Sequence, residues 1–308
     1  MAGTIRRLLV ALAIGVFAAL AASPQAAAAA GSAIVPGSVN RTSLAISATY
    51  DVNVRLGVAA RTVRGSVRIT AQNRSGAGID RLELNTVMAR LGGLRLGSVT
   101  VDGRAVGATV NDQTIIVPLG GVLPAGATAT VVVPFTATLR STTSGSTWLF
   151  TRANGIIDLY RWIPWVSRRT AFDRPNHGDP FVTPVSPRVT LNLRTDSRVR
   201  VAATGTRTSI SADGLTMTFV ATDVRDLVVA AAADYRTLRA VVGDTTVRVL
   251  YRPGFPATAV LAAAKTALAR FEARLGPYPY PELKVIQSAG GFGMEGPGVA
   301  WIPGGVGS

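Results

Sequence analysis

The sequence predicts a mainly β protein: an antiparallel β-sandwich over residues 31–238, followed by the opening part of a mixed α/β unit over 239–308. Three observations carry this. Short apolar-polar alternations recur along residues 46–231. Turn residues separate them. After residue 238 the period changes from two to between three and four, which is the spacing of a helix.

The elements follow in order. Residues 1–30 have the layout of a signal peptide. Arg6 and Arg7 precede the apolar run 8–22, Ser23-Pro24-Gln25 breaks it, and small residues follow. The run is short for a bilayer span. This implies a secreted or extracytoplasmic mature chain, with an uncleaved anchor as the alternative. Ile46, Ala48, Tyr50, Val52, Val54 and Leu56 alternate with polar or small residues, and Val63 to Ala71 repeats the pattern. Such alternation places one strand face in a core. Asp102-Gly103, Asn111-Asp112 and Pro124-Ala125-Gly126 supply turns. A second series of short strands is expected over 189–231, since short strands at this spacing pack as sheets in a sandwich. Between the two series, residues 148–185 read as a long irregular connection. It holds Trp148, Trp162, Trp165 and the single histidine, His177. Both a functional surface and a plug at the sandwich edge fit such a loop. Residues 245–251 then alternate as a strand. Val260, Leu261, Ala264, Leu268, Phe271 and Leu275 mark one face of a helix, which Gly276 and Pro277 close. A strand over 283–287 and a glycine-rich segment follow.

Composition narrows the chemistry. No cysteine is present, which removes disulfides, thiolate metal sites and thiol nucleophiles. The net charge of +15 falls to +13 without Arg6 and Arg7. The arginines are scattered rather than gathered in one block with interleaved aromatics, so nucleic-acid binding is not expected. Loose association with an anionic cell envelope needs only net charge. There is no nucleophile elbow, no phosphate-cradling loop and no dinucleotide fingerprint, and one histidine would have to serve any serine triad. Asn40-Arg41-Thr42 and Asn73-Arg74-Ser75 fit the glycosylation pattern.

The most specific stretch lies near the C-terminus: Gly276-Pro277-Tyr278-Pro279-Tyr280-Pro281, then Gly290-Gly291-Phe292-Gly293-Met294-Glu295-Gly296. Together with Arg161-Trp162-Ile163-Pro164 and the order of elements, it resembles the N-terminal half of the aminopeptidase-N (gluzincin) family of zinc metallopeptidases. The resemblance implies that residues 31–238 are that family's N-terminal β-domain. It also implies that 239–308 are a truncated start of its thermolysin-like catalytic domain. Glu295 would hold the α-ammonium of a peptide N-terminus. Met294, Gly293, Phe292 and Gly291 would line the substrate, the glycines by close approach to its backbone. Two departures stand out: Gly296 replaces the family asparagine after the glutamate, and Asp173-Arg174-Pro175 stands where an acidic-Pro pair is usual. The family zinc motif, His-Glu-x-x-His, needs two histidines. The resemblance therefore implies zinc in the full-length family but none bound by this chain, no catalytic residues here, and an inactive product. The alternative reading is a non-catalytic secreted β-sandwich that binds or supports a partner.

Overall fold

The structure, a computed structural model, describes residues 32–169 and 183–305. The signal-like segment, His177 and Asp173-Arg174-Pro175 lie outside the described residues.

The fold is mostly strands, and they form four sheets. The largest has nine strands. Its centre is Ile46–Gly57 paired antiparallel with Thr62–Asn73, which pairs in turn with Thr128–Thr138. The buried residues Tyr50, Val52, Val54, Val67, Ile69, Val131 and Val133 all point to one side, as period-two alternation requires. On its other edge Ile46–Gly57 pairs with Val189–Thr195, and that pairing is parallel. The expected all-antiparallel sandwich is thus interrupted once. Over 130 residues separate the two strands, room enough for the crossover that a parallel pair needs.

A second sheet of four strands runs Trp165–Val166, Ile79–Asn85, Thr114–Leu123, Thr109–Asn111. It shares one continuous hydrophobic core with the large sheet. Tyr50 pins the two layers. Its ring stacks on Trp165 at 4.1 Å, and its hydroxyl accepts the Val166 N–H at 3.1 Å. Burial pushes the Tyr50 phenol well above its usual pKa, so it stays neutral.

The described first part of the stretch read as an irregular loop, residues 148–169, is largely core. Trp148, Trp162 and Trp165 are all buried. Phe150–Ala153 and Ile156–Leu159 form a hairpin, joined at Asn154-Gly155, where both residues have positive φ (51° and 77°). Two consecutive left-handed residues are the requirement of a type I′ turn, which Asn-Gly satisfies. The hairpin continues through Val229–Ala232 to Arg200–Ala203, making the third sheet, which has four strands.

The C-terminal part is a mixed five-stranded sheet in the order Arg236–Val242, Thr245–Tyr251, Glu282–Ser288, Val299–Pro303, Met294–Gly296. The inner pairings are parallel and the two outer ones antiparallel. The helix Ala257–Leu275 is the crossover between Thr245–Tyr251 and Glu282–Ser288. Alternation divides the sheet faces. Val249 and Val285 meet the helix side in a small core with Phe255 and Ala257. Leu250, Ile286, Met294, Val299 and Trp301 face the other way and join the main core. The helix covers its face incompletely: Phe271 is 60 % and Leu275 81 % exposed, beside an apolar groove of about 750 Å³.

Candidate functional site

The Met-Glu segment is the outer strand of the C-terminal sheet. Met294–Gly296 turns through Pro297 and Gly298 into Val299–Pro303, with Met294 opposite Trp301 and Glu295 opposite Ala300. Gly298 takes the positive φ (71°) that the tight turn demands. Alternation then assigns the roles. Met294 and Trp301 are buried and anchor the hairpin, while Glu295 faces outward and is exposed. Gly291, Phe292 and Gly293 lead into this strand as an irregular exposed segment rather than as paired strand.

An aromatic platform underlies the hairpin. The Trp301 ring lies 6.0 Å from both Trp148 and Tyr160, and Phe292, itself 65 % exposed, lies 6.3 Å from Trp148. A Cβ on Gly290 would come within 2.6 Å of the Trp148 ring, so only glycine lets the chain pass there. A Cβ on Gly296 would meet Val228 Cγ2 at 2.6 Å. The family asparagine would need Val228 to move, which gives a steric reason for the departure at this position. No described residue crowds Gly291, and Gly293 would meet only an ordinary contact with the Trp301 carbonyl. Neither glycine is required by the packing around it.

Charge gathers behind Glu295. Tyr160 is buried, and its phenol is pushed well above its usual pKa, first by burial and further by the negative charges of Asp226 and Glu295, against the opposing effect of Arg161. The Arg161 guanidinium lies 5.1 Å from the Tyr160 ring centre, and its Nε is 3.9 Å from an Asp226 oxygen. Asp226 accepts the Leu227 N–H at 2.7 Å. Burial raises the Asp226 pKa to about 6 despite Arg161.

The loop that precedes the Met-Glu strand is tied to the sandwich. Asp158 is fully buried in Ile156–Leu159, and one of its oxygens accepts both the Ser288 hydroxyl and the Ala289 N–H at 2.8 Å. Its other oxygen has no partner among the described residues. Burial raises this carboxyl to about 7. Next to it, the Tyr235 hydroxyl donates to the Gln287 carbonyl at 2.5 Å. These contacts hold residues 287–289 in place, and residues 290–296 are aimed from there.

The sequence named Glu295, Met294, Phe292 and the glycines. It did not single out Tyr160, Asp226, Asp158 or Trp301, and it gave Gly290 no packing role. Only Asp158 left a trace: it is the one acid in the apolar run Ile156 to Tyr160, where a charge needs a partner.

Among the described residues, no group of three or more His, Cys, Asp or Glu side chains comes together as a metal site. His177 lies outside them. With one histidine, residues 1–308 do not by themselves supply the two histidines of the family zinc motif.

No protein-family model matches the sequence, and no curated protein matches it. Solved structures do. The M1 zinc metallopeptidase from Deinococcus radiodurans superposes with a TM-score of 0.64 at 18 % identity, over 90 % of this chain and 64 % of that one. A two-domain M1 zinc metallopeptidase mutant bound to L-tryptophan gives 0.63 at 18 % identity with the same coverage. A Deinococcus radiodurans mutant bound to a Tyr-Ser-Ala substrate gives 0.61 at 18 % identity, again over 90 % and 64 %. The chain thus spans about 64 % of the length of these structures, and over nine-tenths of its own length it has the fold of M1 zinc metallopeptidases, the aminopeptidase-N type.

Proposed function

We propose that this chain is a secreted relative of the M1 zinc metallopeptidases that recognises the free N-terminus of a peptide. Residues 31–238 serve as its β-domain and 239–308 present the recognition strand. The observation that carries this is Glu295: an outward carboxylate on the edge strand of the C-terminal sheet, close enough to the buried Tyr160 for its charge to act on that phenol. A carboxylate and an α-ammonium form charge-assisted hydrogen bonds, about twice as strong as neutral ones. The open strand edge beside Glu295 offers backbone groups to an extended peptide. One solved neighbour is described as bound to Tyr-Ser-Ala, which makes that tripeptide the natural probe.

The test is calorimetric titration of the mature chain with Tyr-Ser-Ala and with its N-acetylated form. The free-amine peptide is expected to bind at least about tenfold more tightly, the equivalent of ~1.4 kcal/mol. Glu295→Gln should erase that preference while leaving the thermal midpoint unchanged. Equal affinity for the two peptides would overturn the reading. With one histidine in 308 residues, the chain is expected to show no zinc-dependent hydrolysis of an aminoacyl chromogenic substrate.

A further inference from the structure

A second cleft, with no lining residue from the Met-Glu hairpin, opens where the strand Arg200–Ala203 and the hairpin Thr206–Ile210/Thr216–Ala221 meet the C-terminal sheet. Its volume is about 470 Å³, within the range of sites that enclose a small ligand. Its charge is one-sided. Arg200, Arg207, Arg248 and Lys284 line it, against the single acid Glu282, a balance of four minus one, or +3.

Both Glu282 oxygens are already committed. One takes the Arg248 Nε at 2.7 Å and the other the Lys284 ammonium at 3.0 Å. The Lys284 side chain is only 6 % exposed, and its ammonium also donates to the Gly205 carbonyl at 2.6 Å. Burial works to lower its pKa, and the nearby Arg248 charge adds to that. Arg200 spends one Nη on the Tyr235 carbonyl at 2.6 Å. Arg207 makes no side-chain hydrogen bond or ion pair to any described residue. Several guanidinium donors therefore remain open toward the cleft. One carboxylate is enough to hold the two cations it touches. Neither Arg200 nor Arg207 pairs with a carboxylate among the described residues, so both charges add to the positive potential of the cleft. Concave walls of low dielectric sharpen the resulting potential, and guanidinium forks match phosphate oxygens in pairs.

We propose that this cleft binds a phosphate group, with Arg207 and Arg248 as its main contacts and Lys284 as the fixed charge at its base. The group could be supplied as free phosphate or as a phosphodiester, and the chemistry is shared. This goes beyond peptide recognition and does not depend on it, since no residue is common to the two sites.

Titration calorimetry on the mature chain at constant ionic strength tests it, with inorganic phosphate and glycerophosphoglycerol as probes and chloride as the balancing anion. Saturable one-to-one binding of at least one probe is expected. Tighter binding of the diester identifies a phosphodiester as the source, and tighter binding of inorganic phosphate identifies the free ion. Arg207→Ala, at an exposed position, should weaken binding about tenfold with an unchanged thermal midpoint. Arg248→Ala should weaken it further. Arg274→Ala, on the exposed side of the helix, should leave it unaltered. The proposal is overturned by either of two results: no saturable binding of either probe, or the same affinity in wild type and Arg207→Ala. Equal losses in Arg207→Ala and Arg274→Ala would also overturn it, because they would reduce the effect to net charge. Should Arg248→Ala fail to fold, Arg207→Ala decides alone.

Discussion

Asp80 gathers four backbone and hydroxyl donors from one short segment. Its oxygens accept the Ser38 hydroxyl at 2.7 Å and the N–H groups of Val39, Asn40 and Arg41 at 2.8, 2.6 and 3.0 Å. Desolvation works to raise its pKa, but these bonds outweigh it and hold the carboxyl well below the usual range. A depressed folded pKa contributes stability above the unfolded value, near 3.8, which is lost as pH falls through the folded one. Asp80→Ala should cost about 1–3 kcal/mol at neutral pH, the price of unpairing such donors, and should expose residues 38–41 to protease. A thermal midpoint and a limited digest check both. Asp158 has the opposite sign. Its folded pKa, about 7, lies above the unfolded 3.8, so the folded state holds the extra proton between those values. Stability therefore falls as pH rises from about 4 to about 7, with a slope of at most ~1.4 kcal/mol per pH unit from this group. Asp158→Asn should flatten that slope, as read from denaturation midpoints at pH 4, 5.5 and 7. Asn73 corrects a motif reading. It is fully buried and its amide donates to the carbonyls of Ala77, Leu123 and Pro124. It cannot accept a glycan in the folded protein, whereas Asn40 lies on the surface.

At the scale of elements, the long strands and the helix could be read from sequence because their periodicity ran for several repeats. Thr62–Asn73 and Ala257–Leu275 are examples. The hairpin Phe150–Ala153/Ile156–Leu159 could not, although Asn154-Gly155 announces its turn. Each arm is four residues long, and all but Arg152 of those eight are buried, so no polar-apolar alternation survives. The same limit hid the approach of Asp226 to Arg161, which depends on the pairing of Ile156–Leu159 with Val229–Ala232 in the third sheet. Glu295 was named from a motif of consecutive residues, and the structure places it facing outward on the strand Met294–Gly296. The helix shows where a correct period still misassigns faces. Leu268 is buried, but Phe271 and Leu275 on the same apolar stripe are exposed. Replacing both of these with lysine should shift the denaturation midpoint by the equivalent of no more than about 0.5 kcal/mol and raise solubility. Leu268→Ala should cost about 2–5 kcal/mol.

At the scale of the molecule, residues 32–305 belong to one compact unit, and the main core runs without a break from the sandwich into Leu250, Ile286 and Trp301. Cooperative unfolding of both parts should follow. Calorimetry of the mature chain should show a single transition, and Trp301→Ala should lower all of it, by about 3–5 kcal/mol in stability. Two resolved peaks, with only the later part moved by the substitution, would contradict this. The parallel pairing at the centre of the large sheet sets the order in which the chain can assemble. Ile46–Gly57 finds its hairpin partner, Thr62–Asn73, almost at once. Its other edge stays open until residues 189–195 have been synthesised. An apolar strand edge left bare for that long is an invitation to pair with a neighbouring chain. A chaperone that shields strand edges would protect the chain over the interval in which residues 189–195 have still to pair.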